Sequence, residues 1–130
     1  MTRSIVASQN NGVKRAARRS KRLRSAQEIG FVKSRGKRSA GRACAVQVVA
    51  IPGGQQKTAF VVSRYYSKLA VERNRARRLL REAWRALAAD VRKDCWIILR
   101  PRRAMKRAKT QDVVSELKGL LRQTGMLVGR

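Results

Sequence analysis

The sequence predicts a small α+β sandwich of sheet and helices in the order α-β-β-β-α-β-α, and three observations point there. Two runs, RACAVQVVAI and CWIILR, are too apolar and β-branched for anything but buried strands. A long segment between them repeats its apolar residues at helical spacing. A second segment of that kind closes the chain, so strands and helices must pack as layers around one core. At 130 residues the chain suits one domain. We place a flexible basic arm over 1–21, the domain over 22–124 and a short tail over 125–130.

The elements follow in order. Ser25 caps a first helix, SAQEIGFVKSRG, and Glu28 three residues later completes an S-x-x-E pattern. Ile29 and Val32 then face inward and Gly36 ends the helix. Lys37–Ala40 adds a short strand before the run from Arg42 to Ile51. Pro52-Gly53-Gly54 turns the chain, and KTAFVVSR reads as the antiparallel partner of the preceding strand. A long helix spans Ala70 to Val91 and gathers Ala76, Leu79, Leu80, Ala83, Trp84 and Leu87 on one side. Lys93-Asp94 breaks it, and CWIILR runs to Pro101. After the basic loop RPRRAMKRAK, Thr110 caps a last helix with Asp112 in its first turn. Val113, Val114, Leu117, Leu120 and Leu121 form its inner face, and it ends near Gly125.

Charge narrows the function. Lys and Arg number 33 against 7 acids, a net charge of +26, which calls for a polyanionic partner. Between Glu72 and Arg85 six arginines fall in fourteen residues. Asn74, Arg75, Arg77, Arg78, Arg81 and Arg85 occupy the arc opposite the apolar face. Like charges four apart, Arg77–Arg81 and Arg81–Arg85, repel by roughly 0.2–0.5 kcal/mol per pair. A phosphate backbone would remove that penalty, and planar guanidinium forks onto phosphate. A membrane-surface helix fits less well because the chain has strands and a core of its own. No run approaches the roughly 20 apolar residues of a membrane span, and the first residues lack a signal-peptide stretch, so a cytoplasmic protein is expected.

The residues offer little for catalysis. There is no histidine. The acids Glu28, Glu72, Glu82, Asp90, Asp94, Asp112 and Glu116 are scattered, and a two-metal nuclease site needs several converging. Glu72 and Asp112 suit helix N-termini, and Glu82 an internal ion pair among arginines. Cys44 and Cys95 read as buried thiols; two cysteines without histidine cannot complete a four-ligand zinc site. Trp84 and Trp96 fall on predicted buried surfaces.

Arg73-Asn74-Arg75 followed by ARRLLREAWR resembles the signature helix of the protein subunit of bacterial ribonuclease P. The likeness runs over about residues 22–123, through AFVVSRYYSKLAVERNRARRLLREAW and KDCWIILRP. It implies a protein that assists a catalytic RNA in removing the 5′ leader of precursor tRNA, with the active site and its Mg2+ held mainly by RNA; the sequence predicts no particular metal ligands in the protein. The implied partners are that RNA subunit, one protein per RNA, and precursor tRNA. The implied fold has a left-handed β-α-β crossover, against the usual preference. By the same likeness Arg73, Asn74, Arg75, Arg77, Arg78 and Arg81 face the RNA subunit, with Arg64 and Lys68 in the approach. That approach is one residue longer than the family pattern and lacks its glycine. The leader cleft maps, counting without gaps, to Ile29, Lys33, Gln47 and Cys95, and Val32 is assigned to it with them. None is aromatic, so the leader is expected to be held by charge more than by stacking, which is worth roughly 1–3 kcal/mol per base. A ribosomal or RNA-chaperone protein is the competing reading, and a protein-only nuclease a weaker one.

Overall fold

A computed structural model describes residues 21–23 and 25–128. The expected basic arm, apart from its last residue, lies outside the described residues. The observed elements are β1 (Lys21–Arg22), α1 (Ala26–Arg35), β2 (Lys37–Ala40), β3 (Cys44–Ala50), β4 (Lys57–Phe60), α2 (Ala70–Leu87), β5 (Cys95–Pro101) and α3 (Thr110–Gln123), with 3-10 turns at Ala88–Asp90 and Arg103–Arg107. Beyond the two-residue β1, which the sequence did not announce, the expected order is present.

Strand pairing corrects one expectation. The sheet runs β1-β4-β5-β3-β2, so β3 pairs antiparallel with β2 and β5, while β4 pairs parallel with β5. The segment after Pro52-Gly53-Gly54 is therefore not the antiparallel partner of β3. The turn itself forms: Gly54 N–H donates to the Ile51 carbonyl at 2.7 Å, and Gly53 sits at φ 77°, which favours glycine. Its exit leads one strand further out. Ile51 N–H donates to the Asp94 carbonyl at 2.7 Å, and the buried Gln56 amide faces the carbonyls of Ala88, Val91 and Arg92. β5 thereby occupies the place beside β3, and α2 makes the crossover between parallel neighbours β4 and β5. Ladder pairing of β4 also stops at Phe60, short of the expected Arg64.

Alternation along the strands divides the core. Cys44, Val46 and Val48 of β3 and Cys95, Ile97 and Leu99 of β5 pack against α2 and α3. Ala59 and Ile98, with Val49, Val61 and Trp96, face the other way, toward Ile29 and Val32 of α1. The layers are thus α1, sheet, and the α2–α3 pair. All six residues expected on the inner face of α2 are buried. Ser25 caps α1, accepting from Glu28 N–H at 3.0 Å, while the Glu28 carboxylate takes Lys57 Nζ at 2.5 Å.

Helix ends differ from the reading in two places. α2 stops at Leu87, and Ala88–Asp90 tightens into a 3-10 turn. Thr110 is the first residue of α3 and not its cap; Lys109 precedes the helix, and its N–H donates to Asp112 Oδ2 at 3.1 Å. At the far end Gly125 adopts φ 78°, with Met126 N–H on the Leu121 carbonyl and Gly125 N–H on that of Arg122. This is a Schellman stop, as the glycine implied. The tail is held as far as it is described: Arg92 N–H donates to the Met126 carbonyl and Val128 N–H to that of Asp90.

Both cysteines are buried and unpaired. Burial, followed by the charge and hydrogen bond of Glu116, raises the Cys44 thiol above its ordinary value near 9. Burial pushes Cys95 up to about 12, outweighing the Arg92 charge. Folded values above unfolded ones mean stabilisation that is complete below the unfolded value and lost as pH rises through the folded one. Unfolding free energy should therefore be lower at about pH 10.5 than at about pH 8, and alkylation of either thiol at the lower pH should await denaturant.

Candidate nucleic-acid interface

The outer arc of α2 separates into two kinds of arginine. Arg78, Arg81 and Arg85 are exposed, as are Asn74 and, in the preceding loop, Arg64 and Lys68. Arg77 is half-buried, with Nη1 3.4 Å from Asn74 Oδ1. Glu82 does not neutralise them as expected: its Oε1 accepts from the Thr110 hydroxyl at 3.1 Å, which ties α2 to α3. The arginine arc thus keeps its like-charge pairs. Arg81 rests 5.9 Å from the Phe60 ring centroid, and its side chain remains on the surface.

Arg73 and Arg75 are committed to the fold. Arg75 Nη1 donates to the carbonyl of Met105 at 3.0 Å and to that of Lys106 at 3.3 Å, and Nη2 to that of Ala108 at 2.7 Å. One guanidinium therefore satisfies three carbonyls at the end of the Arg103–Arg107 turn. Arg73 Nη1 donates to the Ser67 carbonyl at 3.0 Å. Ser67 is a hub for the lengthened approach: its hydroxyl donates to Glu72 Oε1 at 2.5 Å and accepts from Leu69 N–H at 3.1 Å. Leu69, at the N-cap, has no side chain able to cap α2, and Ser67 supplies the polar contact instead. Glu72 holds the first turn as expected and lies 3.7 Å from Lys106.

The five residues mapped to a cleft do not converge. Ile29, Val32, Lys33 and Gln47 gather between α1 and β3, where the buried Gln47 amide donates to the Lys33 carbonyl at 3.1 Å. Val32 is fully buried and offers no surface. Cys95 lies on the opposite sheet face, in the core under α2 and α3. One residue along a strand reverses the face. Its neighbour Trp96 occupies the α1 side and is only partly buried, against the expectation of a buried tryptophan. Phe31, exposed on α1, meets Trp96 edge to face with centroids 5.9 Å apart. Lys57 Nζ stands 5.1 Å from the Trp96 centroid and Arg35 Cζ 5.8 Å from that of Phe31. The surface beside α1 is therefore aromatic and cationic. Alternation within CWIILR held the signal, since Trp96 shares its parity with Arg100, the one polar residue of that run.

At the other end of this sheet face Arg100 sits beside Arg38. Burial, then that neighbouring charge, lowers its pKa. It lines an open depression of about 510 Å³ with Ser63, Tyr65, Tyr66 and Lys106. Among the described residues no three of His, Cys, Asp and Glu gather in a way that could hold a metal ion, and no helix is long and apolar enough to cross a membrane.

An α+β fold with an arginine-rich helix surface and a separate aromatic–cationic patch makes a strongly basic protein. The family model for Ribonuclease P matches residues 17–125, and the chain belongs to that family, the protein components of an endoribonuclease complex. It is 31% identical over 108 residues to the ribonuclease P protein component of Picosynechococcus sp., covering 83% of this chain and 93% of the relative. The fold resembles RNase P protein from Staphylococcus aureus (TM-score 0.71, 19% identity, 83% of this chain and 98% of the other). It also resembles that from Thermotoga maritima (TM-score 0.69, 23% identity, 79% and 96%).

Proposed function

We propose that this chain is the RNA-binding protein subunit of ribonuclease P, and that it assists a catalytic RNA in endonucleolytic removal of the 5′ leader from precursor tRNA in the cytoplasm. The observation that carries the reading is the exposed Arg78–Arg81–Arg85 ridge of α2 within a chain of this family. On this reading the ridge, with Asn74, Arg77, Arg64 and Lys68, docks on the RNA subunit, one protein per RNA. Arg73 and Arg75 act mainly by shaping the surfaces beside it. Hydrolysis of the phosphodiester, with Mg2+, belongs to the RNA. The scattered acids support that division, since Glu28, Glu72, Glu82, Asp94, Asp112 and Glu116 each hold a contact within the protein. Binding of the RNA subunit tests the docking: affinity should fall steeply with salt, and a salt-independent affinity would sink it.

Phe31 and Trp96 with Lys57 and Arg35 form the surface best suited to the leader, a single strand with bases free to stack. This reading differs from the expectation of a leader held by charge more than by stacking. The affinity gained from the leader should persist at raised salt, and Phe31→Ala should reduce it by about 1–3 kcal/mol, or roughly 5–150-fold. Phe31 is 39% exposed, so its removal leaves the core intact. Titration of leader-bearing and leaderless substrate at two salt concentrations reads both effects. An increment that vanishes with salt and ignores Phe31 would return the leader to a grip mainly by charge.

A further inference from the structure

A second basic surface lies apart from the α2 ridge and from the aromatic patch. Arg42, in the turn between β2 and β3, faces the 3-10 turn after β5 across a groove of about 550 Å³, lined also by Arg102, Arg103, Lys106 and Arg107. Five cations line it, and the uncharged lining residues, Gly41 and Ala104, have no ring on which a base could stack. Such a surface suits phosphates and not bases.

The groove is built before any ligand arrives. Glu116 of α3 accepts backbone N–H groups from Arg42, Ala43 and Cys44 at 3.1, 2.8 and 2.8 Å, which fixes one wall. Gly41 permits this, because a side chain there would collide with the Glu116 carboxylate. Arg102 joins the walls, with Nη1 on the Gly41 carbonyl and its N–H on that of Ala43, both at 2.8 Å. The other wall is held by Arg75 through the three carbonyls described above. Arg75 thereby fixes the groove relative to α2, and a preformed surface of like charge loses little freedom on binding a polyanion.

We propose that this groove is a second docking site for the phosphate backbone of the RNA that α2 engages, with Arg42, Arg103 and Arg107 as the contacting residues and Arg75 and Glu116 as positioning residues. The proposal rests on the docking reading above and adds a second, sequence-indifferent contact to it. Arg75 sets the spacing between the two, so that one folded RNA meets both.

The test uses the full chain and the RNA subunit, titrated over a series of salt concentrations. An Arg103→Ala, Arg107→Ala double variant should bind more weakly and flatten the plot of log affinity against log salt by about two units, near 0.9 for each phosphate contact. Its unfolding should match the parent. An Arg78→Ala, Arg81→Ala variant serves as the comparison. An unchanged slope for the groove variant beside a reduced one for the ridge variant overturns this proposal and leaves docking through α2 standing. Unchanged slopes for both overturn the docking reading as well. Location is checked separately, because the chain's own cysteines are buried. A hydroxyl-radical tether on Arg107→Cys should cut the RNA at nucleotides different from those cut from Arg85→Cys. An absence of cuts from position 107, or cuts at the same nucleotides, also overturns the second site.

Discussion

Replacing Arg78 and Arg81 together with alanine is expected to weaken binding to the catalytic RNA on the order of a hundredfold at low salt. Each is an exposed guanidinium on the outer arc of α2, and a charge-assisted bond to phosphate contributes about 1.5 kcal/mol or more. Two such losses approach 3 kcal/mol, and about 1.4 kcal/mol is tenfold. The salt slope should fall by roughly two units. Folding should be nearly unaffected, since Arg81→Ala relieves the like-charge pairs Arg77–Arg81 and Arg81–Arg85. Arg81 also lies 5.9 Å from the Phe60 ring centroid, a surface cation–π contact worth about 0.5–1 kcal/mol, which is comparable to that gain and brings the net change close to zero. Equilibrium binding and chemical unfolding of the same preparation decide the matter. A large loss of stability would mean that the two arginines hold the fold instead.

Arg75→Ala should behave in the opposite way. Its guanidinium satisfies the carbonyls of Met105, Lys106 and Ala108, and alanine leaves all three without that donor. Water reaches some of the vacated positions, so the total should be about 2–4 kcal/mol and not the sum of three charged hydrogen bonds. For a domain of this size that is roughly 10–20 °C in Tm. RNA affinity should fall too, because the Arg103–Arg107 turn loses its anchor. Lysine, a point charge without the fork, should restore only part of the stability. If Arg75→Ala unfolds like the parent and only the salt slope changes, by about one unit, Arg75 is a simple phosphate contact.

The two variants mark where the sequence was legible. α2 could be read in full on its buried side, because a period of 3.6 is a local property and the six apolar residues obey it. The stop at Gly125 and the cap at Ser25 were equally local. Other features depended on partners far along the chain. Arg75 and its carbonyls are some thirty residues apart, so its position in the arginine arc suggested RNA while its actual neighbours were protein. Glu82 misled in the same way: arginines surround it in sequence, yet in space it meets Thr110. The turn at Pro52-Gly53 implied a hairpin, and nothing within the two strands showed that β5 would come between them. The cleft failed for a smaller reason. Counting along the chain chose Cys95, and the pleat puts Cys95 on the sheet face opposite Gln47, whereas Trp96 one step on lies on the α1 side.

In the proposed function, this chain acts on precursor tRNA only through a catalytic RNA. The direct measurement mixes the chain with the ribonuclease P RNA subunit and precursor tRNA at low magnesium, where the RNA alone is slow. Faster release of the 5′ leader is expected, dependent on both components and diminished by Arg78→Ala, Arg81→Ala. Unchanged cleavage on adding the chain would favour a ribosomal or chaperone-type RNA-binding role, and cleavage by the chain without RNA would contradict the claim outright.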